Sequence, residues 1–230
     1  MGWSRLRIEL LGEPRVLHDG EAISLPASKK TRALLAYLVA TGREHTRDRL
    51  CSLLWDGPDD PRAQLRWSLS KLRALVDSEP TQRLVATRDH VGFHGHGAEI
   101  DLVALRTALA GGVAGASTAA LVEAATLFRG DLLEGLELAS CLQFDAWCTA
   151  ERESLRQLRV SVLTALVERF ASDPAQALRY ARAWVAIDPL QEAAHIEIVR
   201  LLGELGMQRE ALKQYETCAR ILSIELSTRP

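Results

Sequence analysis

The run Asp60-Pro61-Arg62-Ala63-Gln64-Leu65-Arg66-Trp67-Ser68-Leu69-Ser70-Lys71-Leu72-Arg73-Ala74-Leu75-Val76 carries two periodicities at once. Asp at an N-cap and Pro at the first helical position form a strong start signal. From there Leu65, Leu69, Leu72 and Val76 recur at helical spacing, which makes one stripe core. Arg62, Arg66, Ser70 and Arg73 follow a second stripe about 100° away, and Gln64, Trp67 and Lys71 fill out the exposed side. A helix over 61–76 is roughly 24 Å long at 1.5 Å per residue, enough to lie in a DNA major groove. Arginine forks pair with guanine edges or phosphates, and Gln can read adenine. A solvated amphipathic helix fits the same spacing, so the flanking sequence decides between the two.

Upstream, Leu6, Ile8 and Leu10 alternate with Arg5, Arg7 and Glu9, the pattern of a half-buried strand. Gly12-Glu13-Pro14 breaks the run and Val16-Leu17 resumes it. His18-Asp19-Gly20-Glu21 reads as a hairpin turn, after which Ile23 and Leu25 alternate again until Pro26. Two helices follow. Ser28 caps the first, whose buried side is Leu34, Leu35 and Leu38 and whose stop is Gly42. Thr46 caps the second, with Asp48 in its first turn and Leu50, Leu53 and Leu54 inward. Downstream of Val76, Leu84–Thr87 reads as a strand, Arg88-Asp89-His90 as a turn and Val91-Gly92-Phe93 as the returning strand. Sheet, three helices and hairpin is the element order of a winged helix, in which the third helix enters the major groove. Arg88 then stands at the hairpin tip, against the adjacent minor groove or backbone.

Residues 98–230 read almost wholly helical. Asp101 caps a helix through Leu109, stopped by Gly111-Gly112, and further helices are expected over 117–129, 142–171, 173–187, 191–205 and 208–224. Ala177-Leu178 recurs as Ala211-Leu212, Ala181 as Tyr215 and Trp184 as Cys218, each offset by 34 residues. That is the tetratricopeptide period, and repeats of this kind present a concave surface to proteins or peptides. The fold class expected is mainly α: an N-terminal winged helix (α+β) over 1–97 and an all-α tetratricopeptide-like part over 98–230.

Composition agrees. The 230 residues are 47% hydrophobic and 25% charged, which argues against global disorder. Residues 1–97 hold 15 Lys/Arg against 12 Asp/Glu, whereas 98–230 hold 13 against 18. A basic front and an acidic back suit different partners. No apolar run approaches the ~20 residues that span a bilayer. The start lacks a signal-peptide core and Leu6 spoils a myristoylation motif, so a cytoplasmic protein, nucleoid-associated when bound, is expected. Cys51, Cys141, Cys148 and Cys218 form no CxxC pair and read as reduced, buried thiols. Phosphate-binding glycine loops, His-Glu-x-x-His and Gly-x-Ser-x-Gly are absent from the sequence, and no enzyme activity, cofactor or metal is expected. His90, His94 and His96 are the only clustered candidate metal ligands.

Four segments, Leu6–Gly12, Arg32–Leu38, Arg49–Trp55 and Leu65–Arg73, resemble in order and spacing those of the SARP-type activators. These actinobacterial regulators, often of antibiotic pathways, carry an OmpR-like winged helix followed by a bacterial transcriptional activator domain. The resemblance covers nearly the whole chain. It departs in the wing, where Gly92-Phe93-His94-Gly95 replaces the usual Gly-Tyr-Arg-Leu. Trp147 with Glu151 and Arg152 resembles the family's Trp…Glu-Arg signature, and a packed Trp with an internal ion pair is expected. The resemblance implies that the loop of Trp55, Asp56, Gly57, Pro58 and Asp59 faces RNA polymerase and its sigma subunit. It also implies a side-by-side dimer on double-stranded promoter DNA with direct repeats, and a role in secondary metabolism. Specificity is expected from Arg62, Arg66, Lys71 and Arg73, and phosphate contacts from Lys29, Lys30, Arg47 or Arg83. The rival expectation is a helical-repeat adaptor whose winged helix does not bind DNA specifically.

Overall fold

The computed structural model describes residues 5–56, 60–138 and 140–225. By packing it divides into two units, Met1–Thr107 with Leu127–Leu155, and Ala108–Thr126 with Arg156–Pro230. The units are discontinuous in sequence and do not coincide with the spans 1–97 and 98–230.

In the first unit, β1 (Leu6–Glu9), β2 (Arg15–His18) and β3 (Glu21–Ala22) form an antiparallel meander. The expected alternation of Ile23 and Leu25 does not become strand, because β3 stops at Ala22. Only Ile23 keeps a backbone link, its N–H donating to Val16 at 2.9 Å. Next come α1 (Lys29–Thr41), β4 (His45–Thr46), α2 (Arg47–Leu54) and α3 (Pro61–Val76). Their starts are held as the sequence suggests. Ser28 Oγ accepts from Thr31 N–H, Thr46 Oγ1 from Arg49 N–H and Asp60 Oδ1 from Ala63 N–H. Gly42 ends α1 in the left-handed region at φ 61°. Leu34, Leu38, Leu50, Leu54, Leu65 and Leu72 are fully buried. Beside them the Thr31 and Ser68 hydroxyls meet at 2.9 Å, a buried polar link between α1 and α3.

The hairpin is β5 (Leu84–Ala86) and β6 (His90–Phe93), and β4 adds to it as a third strand, giving the order β4-β6-β5. Gly92 permits this approach, since a Cβ there would lie 2.9 Å from Glu44 Cγ. Strand β7 (Ala98–Ile100) returns to the first sheet and pairs parallel with β1, giving the order β3-β2-β1-β7. Helix α4 (Asp101–Ala108) follows directly. Asp101 does more than start it. Its Oδ2 accepts from Leu10 and Leu11 N–H, both at 2.7 Å, and Oδ1 from Leu102 N–H. Burial pushes its pKa up, against the opposing pull of those three donors.

Beyond α5 (Gly112–Gly115) and α6 (Thr118–Leu127), the segment around Leu132 lies on the end of β1. Arg129, Leu133 and Glu134 N–H donate to Leu11, Leu10 and Gly12 carbonyls. The long helix α7 is Leu142–Arg169. Trp147 packs edge-on against Tyr37 at 4.8 Å, as a packed Trp should. The expected ion pair between Glu151 and Arg152 is replaced by something tighter. Arg152 donates from Nε to Leu132 carbonyl at 2.7 Å and from Nη2 to Leu133 carbonyl at 2.9 Å.

The second unit holds α8 (Pro174–Ile187), α9 (Glu192–Glu204) and α10 (Gln208–Glu225). Its core joins Val167, Ala177, Leu178 and Ala181 to Ile198, Leu201 and Leu202. A second cluster joins Leu163, Trp184 and Ala194. Buried His195 donates from Nε2 to the Pro189 carbonyl and accepts at Nδ1 from the Gln214 amide nitrogen, which ties α10 to α9.

Candidate nucleic-acid interface

Helix α3 separates its two stripes cleanly. Leu65, Ser68, Leu69, Leu72, Leu75 and Val76 are buried, whereas Arg62, Gln64, Arg66, Trp67, Ser70, Lys71 and Arg73 are all exposed. Trp67 leaves 50% of its surface open, unusual for so large an apolar side chain, and Lys71 Nζ stands 5.6 Å from the centre of its ring. The face is thus cationic with one aromatic in its middle. No acid stands in the first turn of α3.

Two carboxylates nonetheless reach this face from outside the helix. Asp48 on α2 places Oδ1 2.8 Å from Arg62 Nη2, and that hydrogen bond raises the already high pKa of the guanidinium. Asp60 holds Oδ2 3.6 Å from Arg66 Nη2 while its other oxygen caps the helix. Sequence reading placed both acids at helix starts but missed these partners. Neither pair has the three- or four-residue spacing of helical neighbours: Asp60 and Arg66 are six residues apart, and Asp48 and Arg62 are 14 apart and meet only through the packing of α2 on α3.

Arg88 is exposed at the tip of the β5–β6 turn. Thr87 braces that turn, its N–H donating to His90 carbonyl at 2.9 Å and its Oγ1 accepting from His90 N–H at 3.0 Å. Arg47, half-buried, ties the start of α2 to the same turn: its N–H donates to Asp89 carbonyl and its Nε to Thr87 carbonyl at 3.0 Å. Lys29 is exposed and Lys30 half-buried in the first turn of α1, where the helix dipole adds to their positive charge.

Arg83 is a correction. It is buried, with Nη1 donating to Val76 carbonyl at 2.8 Å and Nε to His96 carbonyl at 3.1 Å, so its guanidinium is a structural clamp with no free face for a phosphate. Of the loop between α2 and α3, Trp55 is buried and Asp56 exposed; Gly57, Pro58 and Asp59 lie outside the described residues. Phe93 is buried on the returning wing strand, while His90, His94 and His96 are exposed. His94 and His96 rings are 6.0 Å apart, and His94 Nε2 lies 3.9 Å from Glu44 Oε1. Among the described residues no group of three or more His, Cys, Asp or Glu side chains is placed to hold a metal ion.

Under the wing, His45 is buried against Tyr37 at 4.7 Å, with its Nε2 2.8 Å from Thr41 Oγ1. Burial first, then Arg43 and Arg49, lowers its pKa below the usual 6.5. The thiols are free and buried. Burial pushes the Cys148 thiol up to about 12 and raises those of Cys51 and Cys218 as well.

The class defined by this fold is a winged helix carrying a bare cationic third helix, continued by paired helices. The model of the bacterial transcriptional activator domain matches residues 101–230, and the chain belongs to that family. That match supports the resemblance to the SARP-type regulators. The chain is 26% identical over 234 residues to the regulatory protein AfsR of Streptomyces coelicolor, a match covering 98% of this chain and 23% of that protein. Its fold is similar to that of Mycobacterium tuberculosis EmbR, solved in complex with a low-affinity phosphopeptide. The TM-score is 0.67 at 23% identity, covering 99% of this chain and 62% of that one. The chain therefore spans less than a quarter of the length of AfsR and under two thirds of EmbR. Among the described residues no helix is long and apolar enough to cross a membrane.

Proposed function

We propose that this chain is a sequence-specific activator that binds double-stranded promoter DNA with α3 in the major groove. The observation that carries the reading is the bare face of α3: four cations, Gln64, Trp67 and Ser70 exposed together on a helix whose opposite side is core. Arg62, Gln64, Arg66, Lys71 and Arg73 read base edges or phosphates, and Trp67 and Ser70 pack on sugar or thymine methyl. Arg88 contacts the adjacent groove or backbone from the wing, and Lys29, Lys30 and Arg47 hold flanking phosphates. In this reading residues 1–97 are the DNA-binding part and 98–230 the activator part. The acidic loop from Trp55 to Asp59 faces RNA polymerase with its sigma subunit. Two copies sit side by side on a direct repeat, in the cytoplasm, and the genes controlled belong to secondary metabolism. No catalytic step and no cofactor enter this mechanism.

Selection from a random duplex library with the purified chain at two salt concentrations tests it. Two equally oriented half-sites about one helical turn apart support the reading. Recovery of no motif, with binding that fades uniformly as salt rises, overturns it in favour of a backbone binder or an adaptor.

A further inference from the structure

The cationic face of α3 is the last place where a carboxylate is expected, because each acid there repels the phosphates the arginines attract. Asp48 nevertheless sits beside Arg62 at 2.8 Å, reaching across from α2. Its side chain is 77% exposed and that of Arg62 66%. An ion pair this open adds little to folding stability, because water and salt screen it. Its geometry must therefore be judged by what it does to the guanidinium.

It does two things. One Nη2 N–H is committed to Asp48, which restricts the fork of Arg62 to orientations that keep this bond. Free arginine is rich in rotamer entropy, and a side chain already ordered loses less of it on meeting a guanine edge. The carboxylate also cancels the charge that would otherwise draw Arg62 to any phosphate. Specific contacts are favoured and indiscriminate ones suppressed, the two components of a specificity ratio. Arg66 has a weaker version of the arrangement in Asp60, at 3.6 Å, but there the acid is also the helix cap. No acidic partner is recorded for Lys71 or Arg73 among the described residues.

We infer that Asp48 is a specificity-determining positioning residue, which orients Arg62 for base readout and withholds it from non-specific phosphate contact. The inference rests on the DNA-binding reading above. Its test measures affinity of the whole chain for the duplex recovered by selection and for a scrambled duplex of the same length, over a salt series. Wild type is compared with Asp48→Asn, Asp48→Glu, Arg62→Ala and the Asp48→Asn/Arg62→Ala double variant, after thermal unfolding has shown each to be folded.

Asp48→Asn is expected to lower the ratio of selected to scrambled affinity about tenfold, within the range a bidentate arginine contact supplies. The scrambled duplex binds it more tightly, with a salt slope steeper by about one phosphate contact. Asp48→Glu retains most of the ratio, and in the Arg62→Ala background Asp48→Asn changes nothing. A merely structural role would lower both affinities together. An unchanged ratio in Asp48→Asn, or an equal drop with Arg62 absent, overturns the inference while leaving the DNA reading standing. A wild-type chain with no preferred duplex overturns both.

Discussion

Leu72 and Leu212 belong to helices of similar amphipathic design in different parts of the molecule, and their surroundings differ in kind. On α3 every exposed large side chain but Trp67 is polar or charged, and the leucines are sealed in. On α10 the exposed face includes Leu212 and Tyr215, 60% and 52% open. The repeat sharpens this contrast. Leu178 and Ala181, 34 residues earlier, are 6% and 0% exposed because Ile198, Leu201 and Leu202 of α9 lie over them. The same sequence position thus gains or loses its burial according to its neighbour. The front unit exposes a row of cations on α3; the back unit exposes apolar side chains on α10.

The largest effect should come from the covered leucines. Leu72→Ala and Leu178→Ala each remove a buried side chain and should lower unfolding stability by about 2–5 kcal/mol, measured by urea denaturation. Loss of less than about 1 kcal/mol at Leu178 would break the assignment of α8 and α9 as a packed pair. Next comes binding. Arg66→Ala should weaken the selected duplex by about 1–3 kcal/mol and leave stability within about 0.5 kcal/mol, the signature of a surface side chain that matters only to a partner. Equal affinity by titration would remove Arg66 from the interface.

Acid should then act on the front unit in particular. His45 has a folded pKa below the usual 6.5, so its contribution is present above that value and is lost as pH falls through the depressed one. Unfolding curves at decreasing pH below 6.5 should show wild type losing stability, and His45→Gln losing less of it. Identical slopes would mean that His45 is not held neutral. The smallest effect belongs to Leu212→Ala, within about 0.5 kcal/mol despite matching Leu178 in the repeat. A loss as large as that at Leu178 would show that Leu212 is covered after all.

Much of the winged helix was legible because its signals are local. Ser28, Thr46 and Asp60 act as caps within three residues, and the leucine spacing of α3 specifies its buried side without reference to any partner. The short strands were not legible for the opposite reason. β4 has two residues and β7 three, and each exists only through its pairing with β6 or β1. Ile23 and Leu25 show that alternation is not sufficient for strand where no neighbour continues the ladder. Arg83 looked like a surface cation because its charge is visible in the sequence and the three carbonyl and hydroxyl oxygens that bind it are not. Asp101 read as a helix cap, yet its main acceptor serves Leu10 and Leu11, some 90 residues back. In the candidate interface the exposed set on α3 was readable from periodicity. The Asp48–Arg62 pair was not, since only tertiary packing brings α2 to that side of α3.

Dimethyl sulfate protection on the selected duplex tests the central claim most directly, because it reads guanine N7 in the major groove. With wild type bound, guanines inside each half-site should be protected, and Arg66→Ala at saturating concentration should lose protection at one of them. Full binding with every guanine N7 still reactive, or a pattern unchanged by Arg66→Ala, would contradict the placement of α3 in the major groove.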